Sequence, residues 1–108
     1  MSKSIEPGKK FVVSESVSYA DGAVVSKTII KKPAGNVTLF SFDAGEGLSE
    51  HSSPHEALVQ VVDGSVEITI GSDPVTVQAG ECIILPANIP HALKAISRFT
   101  MILTMIKS

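Results

Sequence analysis

The sequence predicts an all-β domain, a sandwich or small barrel of about nine short strands. Three observations predict it. Apolar residues recur at every second position, turn chemistry interrupts them at close intervals, and no apolar repeat of helical length is present. The turns are Asp21-Gly22, Gly35-Asn36, Asp63-Gly64 and Gly71-Ser72-Asp73-Pro74, each supplying the positive-φ or proline-compatible positions that a tight reversal needs.

Along the chain, residues 1–10 are polar and contain Pro7 and Gly8, so they are expected to form a loose, flexible arm that docks only through Phe11, Val12 and Val13. Residues 11–108 then form the barrel domain, with one helical turn or two within residues 14–20. In residues 36–42, Phe40 and Phe42 oppose Val37 and Leu39. Farther on, Val66, Ile68 and Ile70 alternate with Ser65, Glu67 and Thr69, and Val75 and Val77 alternate with Thr76 and Gln78. Near the end of the chain Phe99, Met101, Leu103 and Met105 make one face, while Ile102 and Ile106 leave the other partly apolar. A strand that is apolar on both faces needs cover on both, and a second copy of the chain is the expected cover, a homodimer.

At 108 residues there is room for one core and no second domain. The 44% hydrophobic content is weighted to Val and Ile, so the core is expected to be aliphatic. A formal charge of −2 supplies no positive field for a phosphate backbone, which argues against nucleic acid as a partner. The lysines at 9, 10, 27, 31 and 32 read as arm and strand-edge charges that discourage edge-to-edge pairing. No run of eighteen apolar residues exists and the N-terminus lacks the apolar region of a secretion signal, so no membrane is expected and the location is expected to be cytoplasmic. The single cysteine, Cys82, forms neither an internal disulfide nor a thiolate cage, and its apolar neighbours predict a small buried hydrophobe.

Three histidines remain as chemistry-bearing residues: His51 and His55 in segment 47–64, and His91 closing segment 80–91. The first segment resembles the first cupin motif, a histidine pair, then an acidic or amide position, then a strand ending at a glycine turn, here Asp63-Gly64. The second resembles the other cupin motif, in which a glycine, a short apolar strand, a proline and a histidine follow at set distances; Gly80, Pro86 and His91 stand there. The likeness spans residues 36–107 and implies a double-stranded β-helix, the jelly-roll or cupin barrel.

Carried over position by position, the resemblance puts His51 and His91 in two of the four places that hold a metal in such barrels. Ser53 stands where a second histidine would be, and Ala57 where the carboxylate or amide would be. The resemblance therefore implies a pocket formed by His51, Ser53, Ala57 and His91 that takes a small, polar molecule, with a weak divalent metal (Zn, Ni, Fe or Mn) on His51 and His91 left open, and His55 a weaker candidate ligand. Strand parity turns Glu56 outward if Ala57, Val59 and Val61 face in, so Glu56 does not replace the missing carboxylate. Glu46 and Glu50 read as solvated turn residues. Phosphate-loop, dinucleotide and nucleophile-elbow motifs are lacking. Two rival roles stay open beside the binding protein: a metal-dependent isomerase, lyase or oxygenase acting on a sugar-like or carboxylate substrate, and a sensing or scaffold protein that works through its dimer surface.

Overall fold

The computed structural model describes residues 5–107 as nine strands and one helical turn. The turn, α1 (Val13–Ser16), precedes β1 (Val24–Lys32), β2 (Gly35–Phe42), β3 (Gly47–His51), β4 (Glu56–Asp63), β5 (Ser65–Ile70), β6 (Asp73–Gln78), β7 (Cys82–Leu85), β8 (His91–Ala95) and β9 (Phe99–Ile106). The strands form a five-stranded sheet in the order β1-β2-β9-β4-β7 and a four-stranded sheet in the order β3-β8-β5-β6. Every pairing is antiparallel. No helix among the described residues is long and apolar enough to cross a membrane.

The core lies between the two sheets, and the period-two alternation fills it. Ala57, Val59 and Val61 of β4 are buried while Glu56 is exposed, the parity expected from the sequence. They meet Val66 and Ile68 of β5 and Leu93 and Ala95 of β8. Aromatic packing closes the end remote from His51: Phe42 and Phe99 pair across β2 and β9 and stack with ring centres 4.4 Å apart. The register depends on close backbone approach at Gly64, where φ is 74° and an added Cβ would run into the Arg98 carbonyl oxygen. That glycine lets the β4–β5 turn nest against the start of β9.

Two expectations need revision. Cys82 is exposed, because β7 is the edge strand of its sheet and its alternation sends Ile83 and Leu85 inward and Cys82 and Ile84 outward. The N-terminal segment does not dock through Phe11 and Val12, which are exposed; Ser16 and Val17 are the buried residues. Residues 1–4 of the expected arm lie outside the described residues, and 6–10 are exposed.

Polar side chains tie this segment to the five-stranded sheet. Tyr19 donates its hydroxyl to Asp63 at 2.5 Å and accepts from Thr100 at 3.0 Å, and Thr100 in turn bonds Ser41. The Tyr19 phenol is raised above its ordinary pKa, chiefly by burial and then by Asp63. Alongside, Arg98 bridges Asp43 and Asp21 and lies 5.5 Å from the Tyr19 ring centre. The Arg98 hydrogen bond, with help from the Gly22 amide, pulls the Asp43 carboxyl down to about 2.

Candidate functional site

His51 ends β3 and His91 begins β8, and the pairing of these strands sets the two residues opposite one another. Their rings meet edge to face with centres 4.4 Å apart. The register of β3 on β8 shifts between Leu48 and His51, so the last residue of β3 is placed by the irregularity rather than by simple continuation of the strand. Both rings are tethered alike. His51 Nδ1 donates to the Ser49 carbonyl at 2.8 Å, and His91 Nδ1 donates to the Ile89 carbonyl at 3.2 Å. A histidine tethered to a backbone carbonyl in this way is held with Nδ1 protonated, so its Nε2 carries a lone pair.

The two imidazoles differ in exposure. His51 is exposed at the rim, whereas His91 is only 6% exposed. Burial pushes the His91 pKa below its ordinary value, the nearby His51 adds to the effect, and the bond to Ile89 opposes it. The neutral ring is thus favoured at His91.

Beneath the pair lies a cavity of about 80 Å³. At roughly 30 Å³ for one water, that is space for about two or three water-sized groups. His51, Ser53, His55 and Ala57 line it with Leu48, Leu85, Leu93, Met101, Leu103 and Met105. All four pocket residues expected from the sequence therefore border one space, and His55 borders it too. Ser53 is partly committed: its Oγ accepts the His55 amide at 3.1 Å, and its carbonyl accepts the Asn88 amide at 2.7 Å, which ties the β7–β8 loop to the rim. Sequence reasoning assigned Met101 and Met105 to the core face of β9 and missed that their side chains also floor the cavity. The signal for this was the cross-strand register, in which Met105 pairs with Ala57 and Ala57 with Leu85, and register is not legible from a single strand.

No carboxylate lines the space, and among the described residues no three His, Cys, Asp or Glu side chains cluster as metal ligands. The donor set does not fit a tightly held divalent ion. Two imidazoles provide half of the usual four ligands and no negative charge to offset two positive ones. What the arrangement supplies is a pair of nitrogen lone pairs above an apolar floor. That pair accepts hydrogen bonds or binds an electron-poor centre.

Comparison with known proteins agrees with this architecture. Residues 38–107 match the family model described as Cupin domain. A conserved protein of unknown function from Streptococcus pyogenes is similar at 36% identity, over 96% of this chain and 91% of that one, with a TM-score of 0.91. A cupin 2 conserved barrel domain protein from Leptotrichia buccalis is 41% identical over 90% of this chain, with a TM-score of 0.86, and the alignment spans 47% of its length. A cupin superfamily protein from Desulfitobacterium hafniense shares the fold at 20% identity and a TM-score of 0.90, over 100% of this chain and 99% of that one. No curated protein matches the sequence.

The lowered His91 pKa predicts a pH dependence. Because the folded state holds His91 neutral more strongly than the unfolded chain does, the unfolded chain binds more protons below 6.5. Its contribution to stability is complete above 6.5 and is lost as pH falls through the lower, folded-state pKa. Urea unfolding between pH 7.5 and pH 5 is expected to show falling stability, and His91→Asn is expected to flatten that part of the profile. An unchanged profile in the variant would contradict the assignment.

Proposed function

The chain belongs to the cupin family, and from that premise we propose that it is a small-ligand-binding protein whose ligand sits in the barrel mouth against His51 and His91. The observation that carries this reading is the edge-to-face imidazole pair over an otherwise apolar cavity. Few convergent polar groups above an apolar floor are the usual make-up of a small-molecule site. Since both Nδ1 atoms are spent on backbone carbonyls, the ligand presents a donor, such as a hydroxyl or an amine, or a cationic centre to the two Nε2 lone pairs. Its body is small, and Ser53 at the rim offers a hydroxyl to a second polar group. A divalent ion on two imidazoles alone is held weakly.

A second reading is favoured by a separate observation, the outer face of the five-stranded sheet. One row crosses all five strands in register: Ile30, Val37, Thr104, Leu58 and Ile84. Ile30, Ile84 and the nearby Ile106 are each at least half exposed. Isolated exposed apolar residues are ordinary, but a row running from edge to edge is a docking surface. We infer that a second copy of the chain covers it, giving a homodimer whose two mouths lie on the far sides of the packed sheets. Ile102 belongs to this outer face, and Phe40 turns inward onto the core.

Two measurements test these readings. Calorimetric titration of untagged protein with a panel of small alcohols, amines and single metal ions is expected to find one-to-one binding. His91→Ala or His51→Ala should weaken that binding at least about tenfold, near 1.4 kcal/mol, with folding retained. A panel in which nothing binds, or in which the binders ignore both substitutions, contradicts the pocket reading. For the dimer, sedimentation velocity at tens of micromolar is expected to give two chains per particle, and Ile84→Lys with Ile106→Lys to give one. Wild-type protein sedimenting as a monomer overturns it.

A further inference from the structure

A second space lies away from the histidines, on the outer face of the five-stranded sheet. Thr100 alternates with the core residues Phe99 and Met101, and Ser41 with Phe40 and Phe42, so both hydroxyls face outward, yet both residues are buried. The segment around α1 crosses the sheet there, through the Tyr19 bond to Thr100. Beside that crossing runs a groove of about 400 Å³, against about 80 Å³ at the mouth. Val12, Val13 and Val17 line it from the α1 segment and Val62 from β4. Val12 and Val62 are large apolar side chains left exposed. The polar residues that border it include Tyr19, Asp63 and Thr100.

The hydroxyl protons of this cluster all run toward Asp63. Tyr19 donates to Asp63 Oδ2, and Thr100 donates to the Tyr19 oxygen. Thr100 has one hydroxyl proton and gives it to Tyr19, so Ser41 is the donor in the bond between Ser41 and Thr100. The chain of donors ends on a carboxylate, which only accepts, and Asp63 Oδ1 has no hydrogen-bond partner among the described residues. Its charge is unmatched as well. Arg98, the guanidinium at the Tyr19 ring, is held by Asp43 and Asp21, and no cationic side chain among the described residues forms an ion pair with Asp63. With the tyrosine and threonine protons already committed, what remains is a charged acceptor beside valine side chains. That combination suits a ligand with a cationic head and an apolar chain, and it repels an anion.

We propose that this groove is a second ligand site, for a primary alkylammonium whose head is bound by Asp63 and whose chain lies on Val12, Val17 and Val62. An ammonium has three N–H donors; one meets the carboxylate, and the hydroxyls of Ser14 and Ser18, which also border the groove, can accept the others. Bound there, the ligand touches both the α1 segment and the sheet, and so adds to the tie that Tyr19 already makes. Size separates this site from the mouth. At roughly 30 Å³ for each heavy group, n-hexylammonium occupies about 200 Å³, which the groove accommodates and the mouth does not. The proposal does not depend on the reading of the mouth.

Tyr19 is the chain's one tyrosine and there is no tryptophan, so intrinsic fluorescence reports on this groove. Titration of the full chain with n-hexylammonium chloride at constant ionic strength is expected to change the tyrosine emission saturably, with n-hexanol and hexanoate at least about tenfold weaker. Asp63→Asn keeps a residue that favours the turn before Gly64 and leaves an oxygen to accept from Tyr19, so the fold is retained, which the melting temperature checks. It should weaken n-hexylammonium at least about tenfold, while His91→Ala changes it less than about twofold. Amide NMR of the wild-type protein locates the site without any variant, with ligand-induced shifts expected at residues 12–19, 62, 63 and 100. An emission that does not saturate, equal binding of the ammonium and the alcohol, or ammonium binding that Asp63→Asn leaves unchanged overturns the proposal. Shifts confined to the surroundings of His51 and His91 overturn it too, and place the amine at the mouth instead.

Discussion

The antiparallel pairing of β3 with β8 is the constraint on which the rest depends. It brings together two histidines forty residues apart in the chain and leaves them at the rim of the space between the sheets. The four-stranded sheet provides the imidazoles, while the five-stranded sheet provides the wall they face, Ala57, Leu85 and Met105. Neither sheet makes a site alone. The tethers at Ser49 and Ile89 then fix which nitrogen of each ring is open, so backbone carbonyls two residues upstream determine what kind of ligand the mouth accepts.

The family membership and the chemistry of this chain pull in different directions. Glycine, proline and histidine of the second motif are in place, yet Ser53 and Ala57 replace two of the donors that a metal-bearing barrel uses. A barrel tolerates such replacement because its folding is driven by the apolar alternation of the strands and by aromatic packing at Phe42 and Phe99, remote from the mouth. Ala57 even joins the core as a buried apolar residue. The donor set is therefore free to vary without loss of fold, and the fold by itself says little about the ligand.

Much of this was legible in the sequence, and what was not had physical causes. Period-two alternation gave the strands and their inward faces, including the outward turn of Glu56, because side-chain direction is local. The motif spacing put His51, Ser53, Ala57 and His91 at one opening. Cys82 was misread because the same apolar run serves an edge strand or a central one, and only the strand order distinguishes them. The cover supplied by Ser16 and Val17, and the polar ties from Tyr19 to Asp63 and Thr100, depend on contacts between residues 44 and 81 positions apart, which no local pattern encodes. The methionines belonged to the core stripe by pattern and to the cavity by register.

The central claim is that two imidazoles, each donating Nδ1–H to a backbone carbonyl, face each other at one mouth. Long-range proton–nitrogen NMR of the histidine side chains at pH 7.5 tests it most directly, together with cross-relaxation between the rings. The account predicts the Nδ1–H tautomer at both His51 and His91 and cross-peaks between their ring protons. Nε2–H tautomers, or rings with no cross-relaxation, would contradict it.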